Sequence, residues 1–179
     1  MTSYVALLRG VNVGGKNLLP MKQLAGVFER AGCVSVRTYI QSGNVLFRAR
    51  EQQVAKVPAL VSDAIAATFG HRPPVILRSA GELAETVRGN PFLPAGDGEK
   101  FLQVMFLESH PEAVRVSSLD PDRSPPDTFL VRGREIYLRC PNGAGGTKLT
   151  NAWFDSRLAT ISTGRNWRTV LKLLELAQA

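Results

Sequence analysis

"VSVRTYIQSGNVLFRAR", residues 34 to 50, decides the fold. Val34, Val36, Thr38 and Ile40 alternate with Ser35, Arg37 and Tyr39, the period of a strand that buries one face. Ser42, Gly43 and Asn44 supply turn chemistry, and Val45 to Phe47 bring the chain back. The stretch reads as a hairpin. Working outward from it, the N-terminal side holds a helix: from Pro20 the apolar positions Met21, Leu24, Val27, Phe28 and Ala31 repeat at helical spacing, and Gly32 stops it. Before that helix, residues 3 to 9 form a strand apolar on both faces, as a central strand is. On the C-terminal side a second helix runs from Pro58, at a first-turn position, to Phe69, with Val61, Ala64 and Ile65 facing inward. The strand "PVILRS" follows. The order is βαββαβ.

The same order recurs in the second half. A short helix spans 80 to 89, and residues 90 to 99 read as a linker rich in Pro and Gly. "FLQVMFLES" is then a strand, "PEAVRVSSL" a short helix, and "TFLVRGREIYLRC" two strands joined at Arg132 and Gly133. "TKLTNAWFDSRL" is a helix, "ATISTG" a strand, and residues 166 to 177 a last helix. In that helix Trp167 reads as core, because Val170, Leu171 and Leu174 continue its stripe. The class is therefore α+β: two ferredoxin-like βαββαβ modules, residues 1 to 89 and 100 to 179, each an antiparallel sheet with helices packed on one face. The halves match in pattern and not in residue identity, which implies an internal duplication.

At 179 residues, 44% hydrophobic and 21% charged, the chain has ordinary globular composition and enough length to bury a core. Its longest apolar runs fall far short of the roughly 20 residues a membrane span needs. No membrane association is expected. The start, "MTSYVALLRG", lacks a basic n-region, so the cytosol is the expected compartment. Cys33 and Cys140, far apart in sequence, read as small buried hydrophobes and not as a disulfide. His71 and His110 have no partner at ligand spacing, so neither metal nor cofactor is expected.

The net charge is +7, with 16 arginines among the 22 basic residues. Residues 1 to 90 carry 11 basic and 5 acidic side chains, a net of +6; residues 91 to 179 carry 11 and 10, a net of +1. A field of that sign favours anionic partners.

"LLRGVNVGGKNLLPM", "RTYIQSGNVLF", "PNGAGGTKLTN" and "TGRNW", taken in order, resemble the bacterial family known as domain of unknown function 1697. The likeness covers essentially the whole chain. It implies a pair of ferredoxin-like modules and no established activity, so function must be argued from the residues.

Gly10, Gly15 and Lys16 spell the skeleton of a phosphate-binding P-loop, but the next residue is Asn17, where a magnesium-binding hydroxyl belongs, and the helix is delayed to Pro20. A βαββαβ order is also wrong for that parallel-sheet fold. The segment instead reads as a glycine loop whose amides, with Arg9, Asn12, Gly14, Gly15, Lys16 and Asn17, form an anion nest. "PNGAGGTKLTN" offers similar ingredients: Asn142, Thr147 as helix N-cap, Lys148 in the first helical turn, where its charge opposes the helix dipole, and Asn151 at the polar mouth. Arg165 precedes Asn166, the expected N-cap of the last helix. Gln41, Ser42 and Asn44 complete the candidate ligand-binding set, although turn chemistry also explains them.

This set holds cations, amides and hydroxyls but no carboxylate, cysteine or histidine. It is equipped to bind more than to react. The expected function is binding of a phosphate-bearing anion, with a small molecule favoured over nucleic acid because sheet aromatics are few. The alternatives are an enzyme acting on a phosphorylated metabolite and a protein-interaction module. Oligomeric state is not legible.

Overall fold

The computed structural model describes residues 1–93 and 98–179; part of the expected linker, residues 94–97, lies outside the described residues. The chain divides into two compact units, Met1–Ala84 with Leu173–Ala179, and Glu85–Lys172. The first contains β1 (Thr2–Leu8), α1 (Met21–Arg30), β2 (Val34–Tyr39), β3 (Asn44–Ala49), the short α2 (Glu51–Val54), α3 (Val57–Phe69) and β4 (Val75–Ser79). Its sheet has the order β2-β3-β1-β4 with every neighbouring pair antiparallel. Helix α4 (Ala80–Arg88) begins in this unit and ends in the second. The second unit holds β5 (Leu102–Leu107), α5 (Ala113–Ser117), β6 (Thr128–Arg132), β7 (Glu135–Arg139), α6 (Asn151–Leu158) and β8 (Ser162–Asn166), and α7 (Trp167–Gln178) begins there and ends in the first. Its sheet order is β6-β7-β5-β8, again antiparallel throughout. Both units are ferredoxin-like, as the pattern predicts.

One face of each sheet carries the unit's core. In the first, Ala6 and Leu8 of β1, with Val45, Phe47 and Ala49 of β3, pack on Leu24, Val27 and Phe28 of α1 and on Val57, Val61 and Ile65 of α3. Helix α1 stops where expected: Gly32 adopts φ +87°, and the Gly32 and Cys33 amides donate to the carbonyls of Glu29 and Phe28 at 3.0 and 3.1 Å. In the second unit Met105, Leu107, Ile136 and Leu138 pack with Phe154 and Leu158 of α6. Trp167 is buried, as are Val170 and Leu173. The stripe thus continues at Leu173, not at the Leu171 and Leu174 predicted, because three-residue steps from Trp167 keep the same face inward.

The repeat reaches the level of single residues. Arg78 lies opposite Val5 on the last strand of its unit, and Arg165 lies opposite Val104 on the last strand of the other. Both are buried, at 1% and 8% exposed, and each donates from Nη1 to the carbonyl of the residue before it, at 2.8 Å. Each is followed by the cap of the next helix: Ser79 Oγ accepts from the Glu82 amide at 3.2 Å, and Asn166 Oδ1 from the Thr169 amide at 2.9 Å. Asn166 is the N-cap the sequence implied. Burial pushes the Arg165 guanidinium down to about 10.

Two local expectations change. The alternation predicted across residues 34 to 40 breaks, because β2 carries a bulge between Val34 and Arg37, where three steps along β2 oppose two along β3. Val34 is therefore exposed while Val36 joins the core. Helix α6 begins later than "TKLT" suggests. Thr150, not Thr147, is its cap and accepts from the Trp153 amide at 3.2 Å, so Lys148 lies before the helix rather than in its first turn. The physical reason is that residues 144–146 form a separate 3-10 turn, and the Thr147 hydroxyl accepts from the Leu149 amide at 3.1 Å, which holds the chain extended there.

Cys33 and Cys140 are free and buried. Burial raises both thiols from 9.0 to about 11, with Asp127 adding to the rise at Cys140. A thiol that ionises at 9.0 unfolded and at about 11 folded holds its proton longer in the folded state. Stability is thus unaffected well below pH 9 and falls as pH rises from 9 through about 11, by on the order of 1 kcal/mol per thiol at pH 10. Urea unfolding at pH 8 and pH 10 checks this: Cys33→Ala with Cys140→Ala is expected to flatten the loss, and an equal loss in that variant would refute the assignment.

Candidate functional site

The β1–α1 loop is a miniature hairpin and not a P-loop. Val13 and Lys16 form an antiparallel bridge, the Lys16 amide donates to the Val13 carbonyl at 3.0 Å, and the Asn12 amide donates to the Asn17 carbonyl at 3.2 Å. Gly14 and Gly15, at φ +58° and +73°, make the tip. Asn12 and Asn17, at φ +54° and +51°, also sit in the left-handed region, which Asn tolerates better than other residues with a Cβ. Asn12 staples the base of the loop. Its side-chain amide donates to the carbonyls of Leu19 and Gln41 at 3.0 and 2.9 Å, and its Oδ1 accepts from the Leu19 amide at 2.7 Å. Asn17 Nδ2 donates to the Gly10 carbonyl at 3.0 Å.

Both asparagine side chains, expected at a ligand, therefore hold the loop itself. The flexible nest the sequence suggested is a pinned structure, because the side-chain amides close it from within. Arg9 is half-buried, and its backbone amide donates to the Pro74 carbonyl at 3.0 Å. Gly14, Gly15 and Lys16 stand exposed, and Lys16 has no carboxylate partner among the described residues.

The β2–β3 turn abuts this loop through the Asn12–Gln41 bond. Asn44 is fully buried and donates to the Tyr39 carbonyl at 3.2 Å and to Ser42 Oγ at 3.0 Å. Its role is to shape the turn. Gln41 is brought beside the loop by its own carbonyl, with its side chain in an exposed residue.

In the second unit the "PNGAGGTKLTN" loop hangs on residues the sequence did not single out. Ser124 Oγ donates to Asp127 Oδ2 at 2.9 Å and accepts from the Lys148 amide at 3.0 Å, and Thr147 Oγ1 lies 3.4 Å from it. Ser124 and Asp127 are both buried. The only sequence signal was the Pro-Pro pair between them. Asn142 and Lys148 are exposed, whereas Asn151 points inward and donates to Ser162 Oγ at 2.8 Å, which in turn donates to Asp155 at 2.6 Å. Arg165 Nη1 donates to Thr163 Oγ1 at 2.9 Å within its own strand.

The first unit also holds a groove that sequence reading missed. It has a volume of about 440 Å³ and is lined by Ser3, Ser35, Arg37 and Arg48, with Leu46 beneath and the end of α7 as one wall. Alternation puts Arg37 on the polar face, but only the strand register, in which Arg37 faces Leu46 two residues from Arg48, sets it beside Arg48.

The aromatic rings offer no stacking surface here. Tyr4 and Phe47 stack on each other with centroids 5.8 Å apart, and Phe47 also meets Phe28 of α1 at 5.4 Å, on the helix-covered side. No helix among the described residues is long and apolar enough to cross a membrane.

The model of the family described as protein of unknown function, DUF1697, matches residues 1–137. A solved structure, that of the conserved bacterial protein SP0830 from Streptococcus pneumoniae, superposes with a TM-score of 0.72 at 21% identity, covering 100% of this chain and 99% of that one. At that identity the likeness is one of fold. No curated protein matches the chain. The chain belongs to the DUF1697 family.

Proposed function

We propose that this member of the DUF1697 family binds a phosphate-bearing anion at the β1–α1 loop of its first unit, with a small molecule preferred over nucleic acid. One observation carries the reading. Five residues between Gly10 and Asn17 hold left-handed backbone, at positions 10, 12, 14, 15 and 17, and two of them are asparagines that secure the conformation with their own side chains. Left-handed backbone at a residue with a Cβ is unfavourable, and such strain concentrates at functional sites. What this backbone presents to solvent is a pair of glycines, which let a ligand approach the main chain closely, beside a lysine with no acidic neighbour. The concentration of basic residues in the first half of the chain supports an anion as the partner. The aromatic pair turned toward α1 argues against base stacking, and so for a small molecule. Lys148 and Asn142, both exposed in the second unit, offer that unit a separate contact for an anion.

Native mass spectrometry of freshly purified protein is the test. The parent is expected to retain a phosphate-bearing small molecule, and Lys16→Ala to lose it with the melting temperature of the free protein unchanged, since surface substitutions shift stability by less than about 0.5 kcal/mol. Adding that molecule back at about 100 Kd is expected to stabilise the parent by about 2.7 kcal/mol. Retention by Lys16→Ala equal to that of the parent removes this site.

A further inference from the structure

We infer that the groove on the first unit's sheet is a second, separate anion site that holds a phosphate monoester between Arg37 and Arg48. The argument starts from strand parity. Residues that face each other across a sheet share a face, and residues two apart on one strand share it too. Ser3 faces Arg48, Arg48 faces Val34, and Leu46 faces Arg37. Arg48 and Leu46 are two apart, so Ser3, Arg48, Leu46, Arg37 and Val34 all project from one side, the one turned away from α1 and α3.

In a regular strand Val34 and Arg37, three apart, would point to opposite sides. The extra residue of the bulge brings Val34 to the side turned away from α1 and α3; Arg37 and Arg48 share it because Arg37 pairs with Leu46, two residues from Arg48 on the regular strand β3. The bulge leaves Val34 41% exposed on this side of the sheet.

The groove's chemistry follows from its donors. Arg37 Nη2 donates to the Leu176 carbonyl at 2.8 Å, and Arg48 Nη2 lies 3.4 Å from the Met1 carbonyl. These contacts orient the two side chains. Each guanidinium has five N–H donors, so most remain for a ligand, and both arginines are exposed with no carboxylate partner among the described residues. Ser3 and Ser35 add hydroxyls at the same opening. Two forks and two hydroxyls exceed what the two oxygens of a carboxylate can accept, and suit the three terminal oxygens of a phosphate monoester. Leu46, Leu176 and Ala177 add apolar surface for the ester's organic part, beside Gln178 and the C-terminal Ala179, and about 440 Å³ lies within the range of small-ligand pockets.

This site does not rest on the β1–α1 loop. Ser3 is near the start of β1 and the loop follows its last residue, Leu8; at about 3.4 Å per residue the two lie roughly 17 Å apart along the strand.

The test uses backbone amide NMR on the full chain, titrated with inorganic phosphate and, separately, with adenosine 5′-monophosphate as a probe monoester. Saturable shifts are expected at Ser3, Ser35, Arg37 and Arg48, with the monoester binding more tightly than inorganic phosphate. Arg37→Gln with Arg48→Gln is expected to weaken this binding at least tenfold, and Lys16→Ala to leave it unchanged. Arg48→Gln alone keeps the Arg37–Leu176 bond and gives the same direction of effect where the double variant loosens the end of α7. Shifts confined to Gly14, Gly15 and Lys16 would overturn the groove while leaving the loop site standing. Groove shifts that survive loss of both arginines would overturn it as well.

Discussion

Replacing Gly43 by alanine is expected to lower the stability of the protein by roughly 3 kcal/mol, the largest effect of any single methyl added to the first unit's turns. Gly43 has φ +74°, and a Cβ at this position would lie 2.9 Å from Leu8 Cβ and 3.2 Å from the Leu8 carbonyl oxygen. Those atoms belong to the central strand and have no freedom to swing aside, while the Gly43 carbonyl is held by the Leu8 amide at 2.9 Å. The left-handed backbone contributes about 1 kcal/mol and the steric conflict about 2. Gly70 isolates the two contributions. It has φ +76° and open space, with nothing within 4 Å of the place a methyl would occupy, so Gly70→Ala is expected to show the backbone part alone, about 1 kcal/mol. Urea unfolding of both variants decides the matter. Equal losses would mean that the close approach of turn and strand is not real.

Asn12→Ala is the second large effect, also roughly 3 kcal/mol. The substitution removes two donated hydrogen bonds and one accepted one, and it leaves the amide of the buried Leu19 without its partner. It also places alanine where φ is +54°. Asn12→Gly removes the same bonds but suits the backbone, and is expected to be milder by about 1 kcal/mol. Both variants are also expected to abolish retention of any ligand held at the loop, through loss of its shape and not of a contact. A loss below about 0.5 kcal/mol in Asn12→Ala would show that the loop holds its form without the staple.

The residues behind these effects differ in how far they could be read along the chain. The helix stop at Gly32, the cap at Asn166 and the core position of Trp167 are local matters of period and capping and stand in the structure as read, and the hairpin at 34 to 50 stands with its alternation interrupted by the bulge before Arg37. Asn12, Asn17 and Asn44 were legible as special but not in their role. An amide that staples a loop and an amide that grips a ligand look alike in sequence, and only the identity of the partner atoms separates them. Thr147 and Thr150 illustrate a subtler limit. Both are competent caps three residues apart, and the choice went to Thr150 because Ser124, 24 residues before Lys148, takes the Lys148 amide and keeps the chain extended.

The amino-acid sequence by itself determined the α+β class, the doubled βαββαβ order and the excess of cations in the first half, since periodicity, turn chemistry and charge are properties of neighbours along the chain. The tertiary structure alone decided that the glycine loop is a stapled hairpin and that Arg37 shares a face with Arg48. Those outcomes depend on strand register and on hydrogen-bond partners remote in sequence; likewise a single inserted residue in β2 was enough to turn Val34 out of the core.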